Sequence, residues 1–109
     1  NAVNSPAKSG QALYEAYCAS CHKADGMGLT NTFPPLANSA LVNGDPAPLL
    51  QVILHGLKDK TIAKVNYESA MPSFSFLKNE EVIEITNYIR THFGNSAPKI
   101  NQQHLTSLR

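Results

Sequence analysis

The residues with the most distinctive chemistry lie in one pentapeptide, Cys18–His22, which reads CASCH. Two cysteines three positions apart, with a histidine directly after the second, form the attachment pattern of c-type haem. Each thiol adds to one vinyl group of the porphyrin, and the imidazole is delivered to the iron. The chain has only these two cysteines, so the motif uses its whole thiol supply. The pattern therefore predicts one covalently attached haem c, with its iron, held by Cys18, Cys21 and His22.

Other uses of a Cys-x-x-Cys pair fit this chain less well. A structural zinc site needs two further Cys or His ligands at suitable spacing, whereas His55, His92 and His104 are isolated in the sequence. A thioredoxin-like pair is expected beside a βαβ pattern, which the sequence lacks. A zinc module remains an alternative that metal analysis would exclude.

The sixth ligand of the iron is predicted from the two methionines. Met27 follows His22 by five residues, and so short a loop does not easily pass round the porphyrin edge to the opposite face. Met71 lies 49 residues after His22, before a proline that stiffens the backbone, and is the predicted ligand. The alternatives are that Met71 only fills the core, or that His55 replaces it in a bis-histidine site.

Further site residues are expected around these two ligands. The free ring N–H of His22 needs an acceptor. The carbonyl of Pro34 is the first choice and that of Pro35 the second. The alternative is that these prolines only form a turn. Tyr67 either hydrogen-bonds a propionate or the methionine loop, or only packs. Phe74 and Phe76 are expected to shield the iron from water. The predicted cofactor-binding residues are Cys18, Cys21, His22, Phe33, Pro34, Leu36, Tyr67, Met71 and Phe74, and those predicted to bind the iron are His22 and Met71.

The elements that must position these residues are predicted to be helical. A first helix over residues 9–18 begins at Ser9 as N-cap and shows the apolar spacing of Ala12, Leu13, Ala16 and Tyr17. A second begins at Asp45 and ends at Gly56. The last helix runs from about residue 79 to residue 92. The intervening stretches, 23–44 and 58–77, are predicted to be long loops, which in a compact domain usually carry function.

The sequence thus predicts an all-α fold of three main helices plus long loops wrapped around one haem. Residues 1–8 are expected to be a flexible N-terminus or linker remnant, residues 9–94 the domain, and residues 95–109 a tail that packs on or near it. The opening residues fit either the new N-terminus left by signal cleavage or a linker from an upstream domain. No run of about 18 apolar residues occurs, so no membrane-spanning helix is predicted.

Composition excludes some functions and allows others. The 109 residues are 42% hydrophobic and 16% charged, with a formal net charge of +1. Nucleic-acid binding needs a clear excess of lysine and arginine, so no nucleic-acid partner is predicted. A domain of this size has a thin core of its own, and a bound porphyrin would supply much of the missing apolar volume. Folding is therefore expected to depend on the cofactor.

Taken together, these residues resemble a class I cytochrome c over about residues 9–109. The resemblance rests on Gly10, Tyr14, the CASCH motif, Gly26-Met27-Gly28, Phe33-Pro34-Pro35-Leu36, His55-Gly56, Tyr67, Met71-Pro72-Ser73-Phe74 and Tyr88-Ile89-Arg90. Within this class the chain is similar to cytochrome subunits of bacterial membrane-associated alcohol and aldehyde dehydrogenases, and to cytochrome domains fused to copper nitrite reductases. Related domains often carry Ser-Asp where this chain has Lys78-Asn79, which weakens the predicted cap of the last helix.

The resemblance implies a periplasmic single-electron carrier and not an enzyme, with no catalytic residues of its own. Expected partners are redox proteins (a dehydrogenase, an oxidase or a copper nitrite reductase) that dock transiently at the haem edge, near Cys18 and the loop 26–33. One alternative is a domain of a multidomain nitrite reductase or dehydrogenase that works only when tethered. Another is a haem enzyme or gas-binding protein in which Met71 is a labile ligand.

Overall fold

The computed structural model describes residues 9–58, 60–62, 65–67 and 69–109. The elements are α1 (Gly10–Tyr17), α2 (Ala19–His22), α3 (Ala40–Asn43), α4 (Pro46–His55), β1 (Lys60–Ile62), β2 (Val65–Tyr67), α5 (Asn79–Thr91) and α6 (Gln102–Thr106). The predicted all-α class is confirmed, with one small hairpin added. The flexible segment predicted over residues 1–8 lies outside the described residues. In the part of the chain that is described, no helix has the length and apolar character needed to cross a bilayer.

α1 crosses α5 closely at Gly10. The Oγ of Ser9 accepts a hydrogen bond from the N–H of Ala12 at 3.2 Å and caps α1, so the first turn is formed where α5 passes. A Cβ atom added at Gly10 would lie 2.7 Å from the Cβ of Tyr88 and would also collide with the carbonyl oxygen of Glu84. Only glycine therefore allows this approach between the two helices.

The buried face of α1 differs from the predicted one. Ala12, Ala16 and Tyr17 are exposed, whereas Tyr14, which is not part of the predicted apolar face, is fully buried. The Tyr14 hydroxyl donates a hydrogen bond to the carbonyl of Lys23 at 2.7 Å, which satisfies its polar atom inside the protein. Burial also raises the pKa of Tyr14, so the phenol remains a protonated donor.

The two longer later helices begin where the sequence predicts. At α4 a side-chain oxygen of Asp45 accepts from the N–H of Ala47 at 3.1 Å, and Gly56 ends the helix with a φ of 79°. At α5 the carboxylate of Glu81 accepts from the backbone N–H of Lys78 at 2.8 Å. This bond compensates for the missing Ser-Asp pair, because it satisfies one of the backbone donors at the helix start.

Three short elements lie in stretches predicted to be irregular. Strands β1 and β2 pair antiparallel, with Thr61 opposite Asn66. In the first loop, α3 is capped by the Oγ of Ser39, which accepts from the N–H of Val42 at 3.2 Å. Strands of three residues and a helix of four are too short to show a period in the sequence.

The core forms between α1, α4 and α5 and continues under the tail. The buried apolar side chains that make it are Leu13, Tyr14, Val42, Leu49, Leu50, Ile53, Leu54, Phe74, Leu77, Val82, Ile85, Ile89, Ile100 and Leu105. In the tail, Leu105 is 0% exposed and lies in α6, which contacts both α4 and α5. The guanidinium of Arg109 donates to the carbonyls of Ser75 and Leu77.

Truncating Leu105 tests whether the tail belongs to the cooperative core. We expect Leu105→Ala to lower the free energy of unfolding by about 2–5 kcal/mol, the usual cost of such a buried truncation. Gln103→Ala, at an exposed position of the same helix, should change it by less than about 0.5 kcal/mol. Urea unfolding of the haem-loaded protein measures both values, and equal small losses would show that the tail does not stabilise the domain.

Candidate haem-binding cleft

One apolar cleft brings together residues from most elements of the fold. It encloses about 1290 Å³, including solvent at its open mouth. Its lining residues are Tyr17, Cys18, Ser20, Cys21, His22, Phe33, Pro34, Pro35, Leu36, Ser39, Leu41, Val42, Leu49, Val52, Ile53, Leu57, Lys58, Tyr67, Ser69, Ala70, Met71, Pro72, Phe74, Leu77, Ile85 and Ile89. Every residue of the predicted site is in this set.

His22 enters the cleft from the last turn of α2. It is 8% exposed, and its Nδ1 lies 2.8 Å from the carbonyl oxygen of Pro34. Burial lowers the pKa of His22, although the bond to Pro34 opposes this, so the ring is neutral near pH 7. Because a carbonyl only accepts, Nδ1 carries the proton. The lone pair of Nε2 is then free to bind a metal.

The two cysteines present thiols to the same cleft. Both Cys18 and Cys21 are half-buried and free of a disulfide. Burial and, to a smaller extent, the neighbouring Cys21 raise the pKa of Cys18 to about 11, so Cys18 is a neutral thiol at pH 7. A thiolate-based redox pair requires the opposite shift. Among the described residues, no group of three or more His, Cys, Asp or Glu side chains is arranged to hold a metal ion, which gives the zinc alternative no support.

Met71 lines the cleft from the segment that follows the hairpin. Paired backbone hydrogen bonds tie it to Leu57 directly after α4, with N–O distances of 3.0 and 2.7 Å. The backbone of Met71 also approaches position 56 so closely that only glycine fits there, since a Cβ atom at Gly56 would lie 2.6 Å from the carbonyl oxygen of Met71. The end of α4 therefore positions the methionine.

The two rival ligands lie elsewhere. Met27 is 59% exposed, and His55 is exposed, with its Nε2 3.4 Å from the carbonyl oxygen of Leu108. Neither residue lines the cleft. Of the candidates for a second axial ligand, the cleft holds only Met71 among the residues that the structure describes.

The segment after Met71 places one phenylalanine inside and one outside. The Oγ of Ser73 donates to the carbonyl of Leu54, and the N–H of Phe74 donates to that of Ile53 at 2.9 Å. These bonds turn Phe74 into the cleft, where it is 9% exposed. Phe76, which is also expected to shield the iron, packs against the ring of Phe74 but is 65% exposed and does not line the cleft, because the backbone turns between the two residues. That expectation is wrong for Phe76.

The remaining predicted contacts are half-buried walls of the cleft: Phe33 and Leu36 from the first loop, and Tyr67 from β2. The sequence does not predict the helical wall, which is made chiefly of Leu49, Val52, Ile53, Ile85 and Ile89. Their spacing marks them as buried but not as facing a ligand. Nor does it predict Lys58, which is the only lysine or arginine among the described lining residues.

The chemistry of these donors fits haem c. Two thiols stand three residues apart beside an imidazole whose Nε2 is free, a thioether reaches the same space, and the walls are almost entirely apolar. Cys18 and Cys21 would hold the porphyrin through thioether bonds, and His22 and Met71 would bind its iron.

Comparison with known proteins agrees with this chemistry. Residues 5–89 match the family described as cytochrome c oxidase, cbb3-type, subunit III. The chain is 36% identical to the cytochrome c subunit of the quinone alcohol dehydrogenase of Gluconacetobacter polyoxogenes, over 97% of the chain and 23% of that protein. It is 32% identical to the fructose dehydrogenase cytochrome subunit of Gluconobacter japonicus, over 100% of the chain and 24% of that protein. Cytochrome c-552 of Thermus thermophilus is 36% identical over 74% of the chain and 66% of its own length.

The chain thus spans about a quarter of the length of the dehydrogenase subunits it matches. The predicted resemblance to cytochrome subunits of dehydrogenases is confirmed, while the likeness to nitrite reductase domains stays a prediction. The chain belongs to the cytochrome c family described as cytochrome c oxidase, cbb3-type, subunit III, and its cofactor is a covalently attached haem c.

Proposed function

We propose that this cytochrome c domain carries single electrons at a haem whose iron is bound by His22 and Met71. The observation that carries the proposal is the convergence of Cys18, Cys21, His22 and Met71 on one apolar cleft. When bound, the haem supplies one-electron chemistry at its iron. The protein supplies two axial ligands, covalent attachment and a wall that keeps water away.

The pair of ligands explains why the site is suited to electron transfer and not to catalysis. With both His22 and Met71 bound to the iron, no coordination position would be left for oxygen or a substrate. The thioether raises the reduction potential because it favours the reduced metal. The hydrogen bond from His22 to Pro34 and the anchoring of Met71 to Leu57 hold both ligands in place, so oxidation and reduction need little rearrangement.

The partner is proposed to be a larger redox enzyme in the periplasm, with a dehydrogenase as the first choice. Support comes from the relatives, several of which are named as cytochrome subunits of alcohol, fructose and gluconate dehydrogenases. An oxidase or a copper nitrite reductase is the other proposed partner. We propose transient docking at the haem edge beside Cys18 and the loop 26–33. Met27 and Leu29 of that loop are 59% and 49% exposed, which suits a small apolar contact below about 1,200 Å².

Two alternatives remain open to experiment. In the first alternative, the parent gene encodes further domains and this domain works only when tethered to them. The match to only about a quarter of the length of the dehydrogenase subunits is the reason to test this. A gas-binding or catalytic haem requires that Met71 leave the iron. The length of the parent gene decides the first, and spectroscopy decides the second.

We expect the purified, haem-loaded protein to titrate as a one-electron couple. The oxidised form should show the far-red charge-transfer band of a thioether bound to Fe(III), and the reduced form should not respond to carbon monoxide. Optical redox titration and difference spectra measure these properties. A reduced protein that bound carbon monoxide at once, without a far-red band when oxidised, would favour the gas-binding alternative.

A further inference from the structure

Asn95 is the most completely hydrogen-bonded polar side chain outside the cleft. It follows α5 and is 5% exposed. Its Nδ2 donates to the carbonyls of Leu36 and Ile89 at 2.8 and 2.9 Å. Its Oδ1 accepts from the N–H of Ser39 at 3.3 Å and from Nδ2 of Asn43 at 2.7 Å. These four bonds use the whole capacity of a carboxamide, so the side chain has one satisfied orientation.

These partners tie α5 to the loop that supplies the acceptor for His22. Leu36 is two residues after Pro34, whose carbonyl lies 2.8 Å from Nδ1 of His22. Pro35 lies between them and has a fixed φ, so a displacement of Leu36 also moves the carbonyl of Pro34. On its other side the N–H of Leu36 donates to the carbonyl of Gly26 at 2.7 Å. Leu36 is thus held between α5 and the loop that follows the CASCH motif.

The hydrogen bond at Nδ1 affects the metal through the imidazole. An acceptor at this nitrogen fixes the ring orientation and increases the basicity of Nε2. A more basic ligand stabilises the oxidised iron more than the reduced iron, which lowers the reduction potential. The lengths and angles of the bond between His22 and Pro34 therefore influence the potential.

We propose that Asn95 is a positioning residue that holds the Pro34 carbonyl against His22 and thereby lowers the reduction potential of the haem. The proposal rests on the proposed role of His22 as an iron ligand. Asn95 itself does not line the cleft, and its effect on His22 passes through Leu36 and Pro34.

Asn87, which lies on α5 itself, provides a matched control. It is half-buried, its Oδ1 accepts from the N–H of Ile100 at 2.7 Å, and its Nδ2 donates to the carbonyl of Ile100 at 3.2 Å. Like Asn95, it joins α5 to another segment through both ends of its amide. That segment is the tail, which does not carry the acceptor of His22.

The test compares Asn95→Ser with Asn87→Ser in the haem-loaded protein. For Asn95→Ser we expect the Nδ1 proton of His22 to exchange with deuterium at least about tenfold faster, measured by NMR of the reduced form, and the reduction potential to rise. For Asn87→Ser we expect stability to fall while exchange and potential stay at the wild-type values. Urea unfolding of both variants shows whether their losses of stability are comparable.

Equal exchange rates and equal potentials in the two variants would overturn the proposal and leave Asn95 a structural residue only. If Asn95→Ser does not yield a folded protein, Asn43→Ala removes one partner of Asn95 from an exposed position, and the same two shifts should appear at smaller size. Failure of the proposed function is a separate result, because it would appear as a wild-type protein without His22 and Met71 bound.

Discussion

Replacing Met71 with alanine should convert a closed haem into an open one. The iron of Met71→Ala loses its thioether, so the far-red band of the oxidised protein disappears and the reduced protein binds carbon monoxide. The reduction potential should fall by on the order of 0.2 V, a fraction of the roughly 0.8 V over which axial ligands set haem potentials. Optical spectra, carbon monoxide titration and redox titration measure the three effects.

The structure supplies a matched control for this experiment. Met27 is the other methionine of the chain, but it is 59% exposed and does not line the cleft. Met27→Ala should therefore leave the spectrum and the potential unchanged. A Met71→Ala protein with a wild-type spectrum would remove Met71 from the ligand set, and a further His55→Ala change would then test the bis-histidine alternative.

Removing both thiols should have the largest effect on folding. In the double variant Cys18→Ala, Cys21→Ala we expect the pigment to pass into acidified organic solvent, whereas in the wild type it stays with the protein. The haem fills the centre of a domain whose total stability is about 5–15 kcal/mol. A chain that loses it exposes the apolar walls of the cleft, so we expect the haem-free variant to be largely unfolded by circular dichroism.

Two further variants distinguish the loss of covalent haem attachment from a general disturbance of the CASCH motif. Ser20 is exposed between the two cysteines, and Ser20→Ala should retain covalent haem and stability. Cys18→Ala alone should keep one thioether bond and an intermediate stability. A double variant that stayed folded without pigment would show that the protein core suffices without the cofactor, contrary to the expectation from its size.

Local signals in the sequence predict much of the haem site. Cys18, Cys21 and His22 lie within five consecutive residues, so their proximity follows from the chain itself. Helix ends follow equally local rules: Asp45 caps α4 and Gly56 ends it, as predicted. The short loop between His22 and Met27 favours Met71 as the ligand, and the structure places Met71 in the cleft and Met27 at the surface.

Contacts between distant segments were settled only by the tertiary structure. The buried side of α1 depends on where α5 crosses it at Gly10, and that crossing brings Tyr14 inside instead of Ala16. The outward turn of Phe76 and the four bonds of Asn95 depend in the same way on partners far along the chain.

The sequence by itself therefore determined the cofactor, its attachment and the candidate ligands, because that information lies in short motifs whose geometry is set by the backbone nearby. The tertiary structure decided which apolar faces make the wall of the cleft and which residues hold the ligand loops. Periodicity reports that a side chain is buried, but not what it is buried against. That choice depends on packing, in which segments such as 33–39 and 89–95 meet only after the chain has folded.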